Sequence, residues 1–108
     1  MSIRLLEHIR DELRGAGAIQ NTPEFCTSWL GRSEGYIRKL RFHRLEPSVE
    51  ELSVCSHKLG YYADQLRSSD QTAHQTWVVT FDRLKDLCES AIAKQSHAIW
   101  KQPERMGA

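Results

Sequence analysis

The chain has 108 residues, of which 40% are hydrophobic and 27% are charged, and its formal net charge is +1. This size and composition are typical of one globular domain with a core of its own, and they exclude a disordered chain. No apolar run approaches 18 residues, and no apolar signal-peptide segment follows Met1. We therefore expect a cytoplasmic protein without a membrane span.

The first part of the chain has the pattern of two short amphipathic helices. Apolar residues at three- and four-residue steps predict a helix over residues 3–14, followed by a glycine-containing turn. Thr22 and Pro23 are suited to the start of a second helix, because threonine caps and proline is tolerated in the first turn. Gly31 is expected to end it. Its apolar stripe consists of Phe25, Cys26, Trp29 and Leu30.

A basic stretch covers the third predicted helix. Ser33 is suited to cap this helix, and Ile37 and Leu40 would anchor its inner face. Residues 32–44 contain five basic side chains and one acidic side chain, a local balance of +4 against −3 for the rest of the chain. Taken by itself, such a cluster is explained either by a solvated helix face or by a nucleic-acid contact.

A fourth helix is predicted after a loop at residues 43–47. Ser48 and Glu51 have the spacing of a capping box, in which each residue satisfies a backbone N–H of the other. Gly60 is expected to end this helix. A short fifth helix is predicted at residues 61–66.

A long helix is predicted over residues 71–101, where apolar side chains recur at alternating steps of four and three. This heptad-like seam is wider than an exposed helix tolerates, which predicts a homodimer interface. The alternative is that the helix folds back and completes the core of a single chain. The predicted interface residues are Trp77, Phe81, Leu84, Cys88 and Ala91.

The cysteines and histidines show no catalytic or metal-binding signature. Cys26, Cys55 and Cys88 are far apart and lack a C-x-x-C motif, so we predict buried thiols in the core. The five histidines show no ligand spacing. The sequence also lacks a nucleophile elbow, a phosphate-binding loop and a paired-carboxylate motif. We predict no metal, no cofactor, no small-molecule ligand and no enzymatic activity.

Two short helices joined at a glycine, the second of them basic, are typical of a helix-turn-helix. The stretch EFCTSWLGRSEGYIRKL at residues 24–40 resembles the phage-repressor-like (Cro/XRE-type) family in its L-G-x-S turn and x-Y-I-x-x-[IL] helix. EPSVEEL at residues 46–52 and Leu59-Gly60 resemble that family's next helix. The resemblance covers residues 3–66. The chain differs from the family pattern at Pro23, Thr27 and His43.

We therefore predict an all-α fold, a compact helical bundle with a lambda-repressor-like helix-turn-helix and a long C-terminal helix. Residues 1–67 would form the DNA-binding domain. Residues 68–102 would form a helix for dimerisation or core completion. Residues 103–108 would form a flexible tail.

The resemblance implies a prokaryotic or phage regulator of transcription, such as a repressor, that binds specific double-stranded DNA as a small homodimer. The alternative is a protein–protein interaction adaptor, anti-activator or inhibitor that uses the scaffold without binding DNA. The resemblance implies base contacts by Ser33, Glu34, Gly35, Arg38 and Lys39. The remaining predicted DNA-binding residues, mainly at phosphate positions, are Arg32, Tyr36, Arg41, His43 and Arg44.

Overall fold

The predicted all-α fold is confirmed by the computed structural model, which describes residues 3–103 and contains no strand in that range. Helix α2 continues directly into one π-helical turn at Phe25–Trp29. The long C-terminal helix is present with nearly the predicted bounds. The helices are α1 (Ile3–Gly15), α2 (Thr22–Glu24), α3 (Tyr36–His43), α4 (Val49–Leu66) and α5 (Thr72–Trp100).

Helices α1, α3, α4 and α5 and the π-helical turn contribute to one core, which lies between the closely packed pair α4 and α5 and the shorter elements. Residues such as Leu6 on α1, Phe25 in the π-helical turn and Leu59 on α4 are fully buried. The three cysteines are free thiols and all are buried, as predicted. Cys55 on α4 and Cys88 on α5 are neighbours in the core, and the Cys88 thiol together with burial raises the pKa of Cys55.

Gly60 does not end the fourth helix, contrary to the prediction. Helix α4 covers Val49–Leu66, so the short helix predicted at residues 61–66 is its last part. An interior glycine costs a helix only about 1 kcal/mol relative to alanine, and Leu59 and Ala63 are buried on either side of it. The packing of α4 on α5 therefore outweighs this local stop signal.

Helix α3 begins at Tyr36, later than predicted, and Gly35 rather than Ser33 precedes its first turn. The carbonyl of Ser33 accepts a hydrogen bond from the Tyr36 N–H at 3.1 Å. This bond closes a separate turn over Glu34 and Gly35. Regular helical hydrogen bonding starts only after that turn, so Ser33 does not cap α3.

The seam of α5 faces the core of its own chain, which changes the assignment of the predicted dimer interface. Phe81, Leu84, Cys88 and Ala91 are buried within the single chain, and Trp77 is half-buried against the same core. The extension of α4 to Leu66 supplies the surface that this seam covers. These side chains complete the core and are not available to a second copy. A homodimer stays a prediction, and other residues would have to form its interface.

The predicted flexible tail at residues 103–108 lies outside the described residues, apart from Pro103.

Candidate nucleic-acid interface

A helix, a turn and a second short helix occupy residues 22–43, in the order predicted for the helix-turn-helix. The side chain of Asn21 accepts a hydrogen bond from the Glu24 N–H at 2.9 Å and so caps α2. In the π-helical turn the Leu30 N–H donates to the Phe25 carbonyl at 3.2 Å. Gly31 follows with a φ of 67°, a backbone conformation that glycine adopts without strain.

Helix α3 presents one apolar and one exposed face. Ile37 and Leu40 are buried, while Arg38, Lys39 and Phe42 lie on the opposite side, exposed to solvent. A shallow groove on this outer face brings together a set of predicted site residues and one unpredicted residue. Its lining consists of Ser33, Gly35, Arg38, Lys39, Phe42 and His43.

Gly35 leaves space for the Arg38 side chain. A Cβ atom at residue 35 would lie 3.1 Å from the Nη2 atom of Arg38, so any larger residue would push the guanidinium away. Gly35 therefore helps to place Arg38 rather than offering a contact of its own.

The positive charge of the predicted interface is reduced by acidic residues from elsewhere in the chain. Arg32 pairs with Glu50 and Glu51 on α4, and Arg41 pairs with Glu7 on α1. No acidic residue within residues 3–103 pairs with the other three arginine or lysine side chains of the stretch. The unpaired cations are Arg38, Lys39 and Arg44.

Glu51 is the centre of a network that ties the turn and α3 to α4. Its side chain is buried and accepts hydrogen bonds from the Arg32 Nε (2.6 Å), the Ser48 N–H (2.9 Å) and the Ser48 hydroxyl. The bond from the Ser48 N–H is one half of the predicted capping box. In the other half the Glu51 N–H donates to the Ser48 hydroxyl, so the capping box is confirmed. Tyr36 donates a further hydrogen bond. Arg32 and Tyr36 therefore position α3. The sequence analysis predicted both as DNA-binding residues and did not predict this structural role.

The protonation of this network follows from burial and pairing. Burial acts to raise the pKa of Glu51, but hydrogen bonds from Ser48 and Tyr36 outweigh it and hold that pKa below its usual value. Burial and the neighbouring Glu51 carboxylate raise the pKa of Tyr36 to about 12. At neutral pH the network therefore contains a carboxylate, a guanidinium and a neutral phenol.

Arg44 follows α3 in a left-handed conformation, with φ 54° and ψ 42°. Its N–H donates to the carbonyls of Leu40 and Arg41, and the Leu45 N–H donates to the Leu40 carbonyl at 2.8 Å. Glycine is the usual residue in such a C-terminal cap, and a larger side chain costs about 1–2 kcal/mol there. The chain tolerates this strain while exposing the Arg44 side chain beside α3.

Replacing Arg44 by glycine is expected to raise the free energy of unfolding by about 0.5–1 kcal/mol, because the relief of strain exceeds the entropy that glycine loses. The same change should weaken duplex DNA binding. Arg44→Ala is the matched control, because it removes the charge and keeps the strain. Urea unfolding and fluorescence anisotropy measure the two effects. If Arg44→Gly and Arg44→Ala are equally stable, residue 44 is not strained. If both variants bind duplex DNA as tightly as the wild type, Arg44 is not part of the interface.

The structure also shows where the remaining predicted residues lie and which residue was missed. Ser33 and Glu34 lie exposed in the turn before α3, and His43 is the last residue of α3, its ring edge-on to Phe42 at 5.0 Å. Phe42 was missed, although its position four residues after Arg38 places it on the same helix face. Glu51 was recognised as a capping residue only.

Neither a metal site nor a membrane span occurs in the described part of the chain. Within residues 3–103, no three His, Cys, Asp or Glu side chains are grouped in a way that would hold a metal ion. None of the helices in this range combines the length and the apolar composition needed to cross a bilayer.

Residues 6–101 match a family model described as a family of unknown function, DUF6626. The chain belongs to this family. The match includes the helix-turn-helix and the whole of α5 of this DUF6626 protein. No curated protein and no solved structure matches the chain. Because the description of DUF6626 names no activity, the resemblance to phage repressors stays a prediction.

Proposed function

We propose that this DUF6626 protein is a cytoplasmic regulator of transcription that binds specific double-stranded DNA through α3, as a small homodimer. The observation that carries the proposal is the outer face of α3. Arg38 and Lys39 extend from it and pair with no acidic residue within residues 3–103, while Ile37 and Leu40 hold its inner face in the core.

The dimensions of α3 suit the major groove. An α-helix with its side chains is about 10–12 Å across, and the groove is about 12 Å wide. Arg38 and Lys39 are the side-chain types that most often donate to guanine O6 and N7. Arg44, at the end of the helix, is placed to meet a phosphate. The network around Glu51 supports this use, since it ties α3 to α4 through Arg32 and Tyr36, which do not line the groove of Arg38 and Lys39.

Dimer formation is part of the proposal because a single helix-turn-helix contacts few base pairs, and related motifs pair two half-sites about one DNA turn apart. The seam of α5 is buried, so the interface must use other residues. The end of α5 exposes Ile99 and Trp100, the latter with 61% of its surface accessible. These two side chains form the apolar surface that the end of α5 offers to a second copy.

In vitro selection from a random duplex library tests the proposal. We expect enrichment of a two-fold symmetric sequence, bound with a log–log salt slope of about −1 per protomer, since Arg44 is the cation that the proposal places on a phosphate. Light scattering of the complex should give twice the 12.5 kDa chain mass plus the DNA. Absence of binding at low salt, to selected and random duplexes alike, would refute the proposal.

An interaction adaptor is the second candidate, and one observation favours it. Helix α4 exposes Val54 and Tyr61. They line a second groove that contains none of the predicted DNA-binding residues. Changing both to serine should leave duplex binding unaltered if the protein binds DNA through α3. The adaptor would be favoured if the wild-type protein binds no duplex DNA and this variant loses a protein partner that the wild type binds in stoichiometric amount.

A further inference from the structure

Phe42 occupies the centre of the exposed face of α3. It lies three residues after Lys39 and four after Arg38, so these cations flank it on the helix surface. With 80% of its surface accessible, it is the most exposed large hydrophobic side chain of the described residues. Its ring contacts the edge of His43 at 5.0 Å between ring centroids.

An exposed phenylalanine among cations contributes little to the folded chain, because its apolar surface stays in water. A purely solvated helix face would be served better by a polar residue. The surrounding Arg38, Lys39 and Arg44 make the face complementary to a polyanion. The occupant of this face should therefore be anionic and should also present an apolar group opposite Phe42.

The major groove of duplex DNA meets both requirements. Its floor presents hydrogen-bonding groups and one kind of apolar group, the methyl on carbon 5 of thymine. 5-Methylcytosine carries the same methyl at the same position. Phenylalanine is one of the side chains that contact this methyl, and the outward position of Phe42 directs it towards the groove floor when α3 is docked.

We propose that Phe42 contacts the 5-methyl group of a pyrimidine in the major groove, so that the chain selects thymine or 5-methylcytosine at one position of each half-site. This inference rests on the proposed function. Arg38 and Lys39 would then supply the neighbouring polar contacts, with Phe42 between them.

The test uses the full chain and the duplex obtained by selection, measured by fluorescence anisotropy. Each thymine is replaced in turn by uracil, which removes only the methyl group. In a second set of duplexes, the thymine·adenine pair at the sensitive position is replaced by cytosine·guanine, with and without the 5-methyl on cytosine. Phe42→Ala is compared with Val79→Ala, a control at another exposed apolar residue, on α5.

We expect one thymine per half-site whose replacement by uracil weakens binding about fourfold, as the loss of one buried methyl predicts. In Phe42→Ala this ratio should fall to about one, while Val79→Ala should keep it. Tighter binding to the duplex with 5-methylcytosine than to the duplex with cytosine would show that the methyl group itself is recognised. Recovery confined to thymine would assign the contact to thymine alone.

Three results would overturn the inference. If no thymine is sensitive, or if Phe42→Ala keeps the full sensitivity, Phe42 does not read a methyl group although the protein still binds DNA. If no duplex is bound by the wild-type protein, the proposed function fails and the inference fails with it. In that case a protein partner lost specifically in Phe42→Ala would assign the residue to a protein interface.

Discussion

Replacing Glu51 by alanine is expected to lower the free energy of unfolding by about 3 kcal/mol. The change removes a buried carboxylate that accepts hydrogen bonds from Arg32, Ser48 and Tyr36, and bonds to charged groups are each worth about 1.5–3 kcal/mol. It also removes the capping box of α4, which typically contributes about 1 kcal/mol. Urea unfolding under reducing conditions measures the loss.

Glu50→Ala is the matched control for this prediction. Glu50 is adjacent in sequence and its carboxylate also lies 2.9 Å from Arg32, but its side chain is 75% exposed, whereas that of Glu51 is 3% exposed. Exposed ion pairs contribute about 0–1 kcal/mol, so this variant should lose less than 1 kcal/mol. Similar losses in the two variants would contradict the central role assigned to Glu51.

The same residue is expected to make stability depend on pH in the acid range. The pKa of Glu51 is lower in the folded chain than its ordinary value of 4.5. Its contribution is therefore fully present above that value and is lost as the pH falls through the folded-state pKa. Glu51→Gln should be less stable at neutral pH but should lose less stability than the wild type on acidification below about pH 4.5. If the free energies of unfolding of Glu51→Gln and the wild type fall in parallel on acidification, Glu51 is not the source of the pH dependence.

The double change of Arg38 and Lys39 to alanine is expected to weaken binding to the selected duplex about a hundredfold. Each well-made contact from such a side chain to a base is worth about 1–3 kcal/mol. Both residues are exposed and without acidic partners in the described range, so the free energy of unfolding should change by less than about 0.5 kcal/mol. Anisotropy with the selected and a scrambled duplex separates specific from general affinity.

A second double variant controls for charge. Arg14→Ala with Lys85→Ala removes two positive charges from partly exposed side chains on α1 and α5. Neither residue lines the groove on α3, and salt screens charges that make no direct contact, so we expect a change of less than about threefold. If both double variants lose affinity equally, binding depends on total charge and not on α3.

The helices and most of their ends were predictable from the sequence. The signals involved are local in sequence. They are the recurrence of apolar residues every three or four positions, the capping box at Ser48 and Glu51, and the turn at Gly31. The long helix was recognised with its bounds nearly correct. The prediction was wrong where local signals oppose packing, as at Gly60, because the burial of Leu59 and Ala63 exceeds the cost of one glycine.

The candidate site was predictable in its position but not in the roles of its residues. The basic stretch and the period of α3 locate the face that carries Arg38 and Lys39. The same period would have placed Phe42 there, but an aromatic residue in a helix is usually buried, and only the structure shows it to be exposed.

The sequence by itself determined the all-α class, the order of the helices and the position of the basic face, because these depend on propensity, capping and periodicity. The tertiary structure decided which charges remain unpaired and where the seam of α5 points. Arg32 pairs with Glu51, which is 19 residues away in the sequence, and Arg41 pairs with Glu7, which is 34 residues away. Such pairs depend on how the helices pack, and a heptad-like seam is equally apolar whether it faces its own chain or a second copy.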